Sequence, residues 1–402
     1  MRKIKNLFCI IFLSGIFLSG SIQMIDDWSA YTDIVLALSC LGLLYIYIVS
    51  NKLKLKIPII LTIIFMFYLL MTVMSALVNS NLQMFLSFGR YLLVFITLCV
   101  IVPNLMKEET YRFTLISVFV SQIPLLVFSF AEESPFSNLT RVYMGVFYNS
   151  NSFGGVVATL FVSILAWYFS TLGKKKYVVQ IFLLIGLSFT FLLTIFSGSR
   201  TSTLAIIIIT FISTILYAYK KGILNNISIK AMGRFLVGII VASILIFVFY
   251  RSDYYSVFDE RIIEKFVRKA NSGDVLDERG GIISKTIDEA AVFGHGPDYF
   301  SDKFGLGAHN SFISILGQFG VLAIVLFLII WVYILIISLK HFMKSNNYLS
   351  IFPLLIILFF IITSFTEIML MKVSMLAALI LGGAIRLEKT FLSKHIQEKD
   401  SF

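Results

Sequence analysis

The chain of 402 residues is 58% hydrophobic and 15% aromatic, with a mean hydropathy of +0.93. Soluble domains are roughly 45–50% apolar, so an ordinary soluble fold is excluded and the composition reads as a polytopic membrane protein. A formal charge of +11 invites a nucleic-acid reading, but the cations follow the membrane, as the loops show, and no nucleic-acid partner is expected. Cys9, Cys40 and Cys99 lie far apart in apolar runs; they form neither a metal-spaced cluster nor a disulfide framework, and packing roles are expected.

A membrane crossing needs about 20 apolar residues, and backbone satisfaction in lipid makes such segments helical. The fold class expected is therefore all-α, with about twelve spans near 7–24, 33–50, 58–78, 85–105, 111–131, 152–171, 177–196, 202–219, 234–250, 311–338, 350–367 and 370–386. The first follows MRKIK and has a signal peptide as its alternative; SGSIQMIDDW offers no small-residue cleavage site, so a retained span is expected. Three regions result: spans one to nine over 1–250, a long polar loop over 251–310, and the last three spans with a tail over 311–402.

Short loops rich in Lys and Arg stay cytoplasmic. With the N-terminus inside, the cation clusters at Arg2 to Lys5, Lys52 to Lys56, Lys107 and Arg112, Lys174 to Lys176, Lys220 to Arg234, Lys340 and Lys344, and Arg386 onward all fall on one side. Both termini are thus expected in the cytoplasm, and the 251–310 segment outside. Long translocated loops are largely exempt from the rule, but Arg141, Arg200 and Lys372 stand in short outer connections and call for a reason.

Arg141 lies in EESPFSNLTRVYMGVFYNSN, which ends at Asn151. Arg200 lies in SGSRTSTLA, among small hydroxyl residues at the start of a span, where backbone N–H groups and a guanidinium suit an anion; its alternative is an interfacial snorkelling residue. In the long loop, Ile262, Ile263, Phe266, Val267 and Ala270 recur at helical spacing before Gly273, which suits a helix on the bilayer surface. A second short helix is expected after Asp277, with Arg279 on its first turn and an ion pair to Asp277 or Glu278 as the alternative role for that arginine. Then come a Gly294-His295-Gly296-Pro297 turn and the His309-Asn310 pair at the opening of the tenth span. Histidine titrates near neutrality and suits a general base, so His309 is the leading candidate and His295 a weaker one; His341 and His395 fall on the cytoplasmic side.

RVYMGVFYNSNSFGG, SGSRTSTLA, DERGGIISKTIDEAAVFGHG and HNSFISILGQFGVLA, in that order and on one face, resemble the O-antigen ligase and Wzy polysaccharide polymerase superfamily of bacterial membrane glycosyltransferases. The resemblance covers the chain from about Arg141 onward. Ile283 stands where the family often has tryptophan, and Gln318 where it often has glutamate. The resemblance implies transfer of a glycan from undecaprenyl pyrophosphate to an acceptor hydroxyl, with no cofactor and no metal. In that reaction Arg200 and Arg279 would hold the pyrophosphate, His309 would take the acceptor proton, and Arg141, Asn151, Asn310, Gly294 and Gly296 would bind substrate. The partners implied are an undecaprenyl-pyrophosphate-linked oligosaccharide, membrane lipid, a chain-length regulator and a flippase, at the cytoplasmic membrane.

The leading expectation is a polymerase of capsule, exopolysaccharide or O-antigen repeat units. A ligase passing a finished glycan to another acceptor is the alternative within the superfamily. A secondary transporter or flippase is the alternative outside it, and such proteins carry ionisable residues at the bilayer midplane. Here Arg90 and Glu367 come nearest, both close to outer ends.

Overall fold

The computed structural model describes residues 2–51, 55–132, 142–172, 174, 176–222, 259, 264, 267 and 279–399. Among them no strand occurs. The longer helices are α1 (Arg2–Ile22), α2 (Thr32–Asn51), α3 (Ile59–Val78), α4 (Leu82–Phe95), α5 (Val102–Met106), α6 (Thr110–Glu132), α7 (Ser150–Thr171), α8 (Tyr177–Phe196) and α9 (Arg200–Lys220). They are followed by α10 (Arg279–Asp288), α11 (Tyr299–Phe304), α12 (Ser311–Phe319), α13 (Val321–Lys344), α14 (Ile351–Ser364) and α15 (Val373–Lys399). The expected span 234–250, Arg141, and all of the expected surface helix before Gly273 except residues 259, 264 and 267 lie outside the described residues.

Eight helical stretches among the described residues are long and apolar enough to cross a membrane, and Tyr348–Ser364 and Val373–Leu387 are shorter apolar helices. The chain is a multi-pass, all-α membrane protein. One stretch, Met84–Glu132, runs for 49 residues and contains two of the expected spans, parted by the 3-10 turn Lys107–Glu109 with Lys107 at φ +50°. One boundary differs from the sequence reading. The tenth span, expected from residue 311, is two helices: α12 ends at Gly320 (φ +94°) and α13 starts at Val321. Apolar content runs unbroken through the joint, so hydropathy alone does not show it.

The helices fall into two compact units, residues 1–124 with 276–402, and residues 125–275. In the first, α1 packs along α2 and α15, and α3 along α4, α12 and α13, while α14 lies between α13 and α15. A π-helical segment, Ile96–Ile101, joins α4 to α5, and α15 lies close against it. A Cβ on Gly383 would come 2.3 Å from the Cys99 carbonyl oxygen, and the Cys99 thiol donates to the Leu379 carbonyl at 3.3 Å. That contact accounts for a glycine inside α15 and gives Cys99 the packing role its sequence setting suggests. Arg90, on α4, meets Asp33 on the first turn of α2 at 3.2 Å. Its charge is thus answered near a helix end, where no midplane transport site is needed to explain it.

In the second unit, α7 packs against α8 and α9. Asn149 caps α7 by accepting from the Ser152 N–H at 2.8 Å, which orders the Asn-Ser-Asn turn. Pro124 lies inside α6 at the junction of the units.

Candidate functional site

In the second unit the sequence SGSR forms the α8–α9 joint. Phe196 ends α8, Gly198 takes φ +63°, Ser199 caps α9, and Arg200 is its first residue, half-buried. The hydroxyls around it are turned inward. Ser197 Oγ donates to the Thr194 carbonyl at 2.6 Å, Ser199 Oγ to Ser202 Oγ at 3.0 Å, and Thr203 Oγ1 to the Ser199 carbonyl at 2.9 Å. Ser197, Ser199, Ser202 and Thr203 are all buried. These hydroxyls bond among themselves and to nearby carbonyls, and so build a tight joint rather than an open anion cradle.

Two neighbours brace the joint. A Cβ on Gly154 of α7 would lie 2.6 Å from Ser199 Cβ, and one on Gly198 would lie 3.0 Å from Val142 Cγ1. The Tyr143 N–H donates to the Phe196 carbonyl at 3.0 Å. The segment that opens after Arg141 is therefore docked on the helix joint that carries Arg200. Asn151, one residue past the start of α7, is half-buried.

In the first unit, α10, α11 and α12 close on a small apolar cluster of Ile282, Tyr299, Phe300, Ala308 and Ile313, with Ile283 packed beside it. Arg279 is the first residue of α10. The Gly294-His295-Gly296 turn lies against the α12–α13 joint. The His295 N–H donates to the Gly317 carbonyl at 2.8 Å, the Gly296 N–H to the Gln318 carbonyl at 3.2 Å, and the Val321 N–H to the Ala291 carbonyl at 3.0 Å.

This contact is too close for side chains. A Cβ on Gly294 (φ +67°) would lie 2.4 Å from the Gln318 carbonyl oxygen, and one on Gly320 would lie 2.3 Å from the Val292 carbonyl oxygen. Ser75 of α3 ties the same place by donating to the Phe293 carbonyl, with the Gln318 carbonyl at 3.1 Å. The amides of His295 and Gly296 are thus engaged by carbonyls, so Gly294 and Gly296 serve to join backbone to backbone, not to cradle a phosphate.

His309 follows the buried Ala308, is itself half-buried, and has φ +48°. The left-handed region costs an L residue roughly 1–2 kcal/mol, so the surroundings must impose it. Asn310 does much of that. Its Oδ1 accepts from the Phe312 and Ile313 N–H groups at 2.8 and 3.1 Å, and its Nδ2 donates to the Phe365 carbonyl at 2.8 Å. Asn310 is 7% exposed, and its amide is an N-cap and a cross-link. The sequence reading had it orienting substrate; the geometry gives it the task of fixing His309.

Ser311 extends the seam, donating from Oγ to the Glu367 carbonyl at 3.0 Å and accepting from the Met369 N–H at 2.8 Å. The α14–α15 connection is thereby stitched to the start of α12. Lys372, in that connection, donates to Met24 Sδ at 2.8 Å; burial lowers its ammonium pKa, against the opposing charge of Glu367.

Several residues with clear tasks escaped the sequence reading. Ser75 and Asn149 belong to this group, and so does the Glu289, Tyr299 and Lys303 cluster. Asn149 followed three residues later by Ser152 at the head of an apolar run was a readable cap signal, whereas the partners of Ser75 are more than 200 residues away. His341 hydrogen-bonds with Tyr111 at 3.1 Å, at the opposite end of the first unit from His309. Among the described residues no group of three or more His, Cys, Asp or Glu side chains is placed to hold a metal ion.

Residues 185–328 match the family model for O-antigen ligase. The match runs from α8 into α13 and takes in Arg200, Arg279, Gly294, Gly296, His309 and Asn310, while Arg141 and Asn151 precede it. No curated protein matches the chain. The ordered helix joints at Arg200 and His309 lie inside the matched segment, and over residues 185–328 the chain is similar to the O-antigen ligase family.

Proposed function

We propose that this protein is a polysaccharide polymerase. It joins repeat units linked to undecaprenyl pyrophosphate on the outer face of the cytoplasmic membrane, with both termini in the cytoplasm. The observation that carries the proposal is His309: a half-buried histidine held at φ +48° between a core alanine and a capping asparagine, inside the matched segment. Backbone strain of this kind persists where surrounding structure over-determines it and clusters at functional sites.

In the proposed reaction, the acceptor sugar hydroxyl attacks the anomeric carbon of the donor. The anomeric C–O bond to pyrophosphate breaks, and His309 takes the hydroxyl proton. Arg200 and Arg279 would meet the negative charge that grows on the leaving pyrophosphate, since guanidinium remains charged and grips phosphate oxygens in pairs. Arg141 and Asn151 are proposed to contact the donor, and Asn310, Gly294 and Gly296 to support the site through the backbone they fix. The chain-length regulator and the flippase are proposed partners. The name of the matched family favours a second reading, ligation of a finished glycan to a different acceptor.

Purified protein in lipid nanodiscs, given its lipid-linked repeat unit, tests the choice. A ladder of lengthening glycans is the expected product. Transfer to an added second acceptor without a ladder would establish the ligase, and translocation without any new glycosidic bond would remove both. His309→Gln is expected to make no ladder, because an amide hydrogen-bonds but does not accept a proton near neutral pH. Arg200→Lys and Arg279→Lys are each expected to lose on the order of 10²-fold in rate.

A further inference from the structure

A cavity of about 390 Å³ opens beside the Gly294 to Pro297 turn, wholly within the first unit. It is lined by Asn79, Asn81, His295, Gly296, Pro297, Asp298, Tyr299, Asp302 and Lys303. That volume falls in the range of about 300–1,000 Å³ typical of small-molecule sites. One wall is the α3–α4 turn, where Ser80 takes φ +47° and the Asn81 N–H donates to the Ala76 carbonyl at 3.1 Å. The other wall is the start of α11. Ser75 of α3 ties the first wall to the Gly294 to Pro297 turn through the Phe293 and Gln318 carbonyls. The cavity is therefore framed before any ligand arrives.

The lining has a definite chemical character. His295 stacks on Tyr299 with ring centres 4.6 Å apart, and its Nε2 lies 2.8 Å from the Glu289 carbonyl oxygen. Glu289 also accepts from the Tyr299 hydroxyl at 3.0 Å and pairs with Lys303. The one cation of the lining is thus matched by a carboxylate behind it. Asp298 and Asp302 are exposed, so the cavity is acidic on balance and repels phosphate. Carboxylates accept two hydrogen bonds side by side and amides both donate and accept, which fits neighbouring sugar hydroxyls. Pro297 and the imidazole face add an apolar wall.

We infer that this cavity is a saccharide subsite, holding the uncharged or amino-sugar part of a glycan of one or two rings and excluding the pyrophosphate. The inference rests on the proposed function for its substrate class and deepens it. The lining residues differ from the arginines proposed to take the leaving group, so growth and departure are served by different side chains.

The test uses the full-length protein in nanodiscs and the repeat-unit oligosaccharide freed from its lipid by mild acid, so that it carries no phosphate. Saturation-transfer NMR should show contact to the sugar protons, and inorganic pyrophosphate should not displace the sugar. Asp302→Asn and Asn81→Ala lie at the surface of the cavity; each should weaken binding about tenfold, the worth of one lost hydrogen bond to a charged or buried polar partner. The combined variant should abolish the signal and shorten the glycan ladder, with lipid-linked donor still consumed. Sugar contact unchanged in the combined variant, or displaced by pyrophosphate, would overturn the subsite. If wild-type protein makes no glycosidic bond yet binds the sugar through these residues, the subsite stands and the polymerase reading falls.

Discussion

Asn310→Ala isolates the force that holds His309 in place. The wild-type side chain accepts two backbone N–H groups at 2.8 and 3.1 Å and donates to the Phe365 carbonyl at 2.8 Å, while only 7% exposed. Losing an N-cap costs about 1 kcal/mol, and losing the cross-link about 1 kcal/mol more. Asn310→Ala is therefore expected to destabilise the protein by about 2 kcal/mol. Asn310→Ser keeps a capping oxygen but cannot reach the Phe365 carbonyl, so about half of that loss is expected. Denaturant titration in micelles reads this through Trp331, which is 2% exposed on α13, and the same samples report glycan formation. Activity should follow stability in the order wild type, Ser, Ala. If Asn310→Ala is as stable as wild type yet makes no product, the side chain acts on substrate directly and the capping account is wrong.

Three further predictions follow from close contacts and charges. Gly294→Ala places a Cβ 2.4 Å from the Gln318 carbonyl oxygen at φ +67° and should abolish folded protein in a fluorescence-detected size-exclusion assay. Gly296→Ala, with its nearest atom at 3.7 Å, should cost only roughly 1–2 kcal/mol of left-handed strain. In α7, Gly154→Ala meets Ser199 Cβ at 2.6 Å and should disturb the Arg200 joint, whereas Gly155→Ala meets nothing within 4 Å and should be silent in both melting temperature and activity. The pairing with Lys303 lowers the Glu289 pKa, with the Tyr299 hydroxyl adding to it. The stabilisation is therefore present above the ordinary glutamate pKa of about 4.3 and is lost as pH falls through the lower folded value. A carbon-13 carboxylate titration should find a Glu289 midpoint below its ordinary value, moving back toward it in Lys303→Ala; an unshifted wild-type midpoint would contradict the pairing.

Much of this architecture was legible in the sequence because hydropathy reports a one-dimensional property. The apolar runs that become α1 to α9 and α13 to α15 announce themselves by length. What hydropathy misses is any event that leaves apolar content unchanged, and the Gly320 break between α12 and α13 is the clearest case. The π-helical turn at Ile96–Ile101 is another. Glycines were legible as unusual but not as to purpose. Gly294 reads as a turn residue, and only the fold shows that the obstacle to a side chain is the Gln318 carbonyl, 24 positions later. The Arg279 and His309 positions were readable from spacing and resemblance, while the strain at His309 and the polar cavity near Asn81 depend on contacts between distant segments.

The two helix joints share one construction. Gly198 at φ +63° precedes the capping Ser199 and then Arg200; His309 at φ +48° precedes the capping Asn310 and then Ser311. In each, a left-handed residue reverses the chain, a short polar side chain closes the first turn, and packing rather than a soluble domain holds the joint. The details decide what each joint offers to a ligand. The hydroxyls beside Arg200 bond within their own turn, and the amides of the Gly294 to Gly296 turn bond to the carbonyls of the α12–α13 joint. Phosphate-binding glycine loops work by leaving backbone N–H groups free, whereas the His295 and Gly296 amides are taken by carbonyls. On the proposed reading, recognition of pyrophosphate therefore falls to guanidinium side chains. That is why replacing Arg200 or Arg279 with lysine, which keeps the charge and removes the paired N–H geometry, is the more searching substitution than removing a glycine.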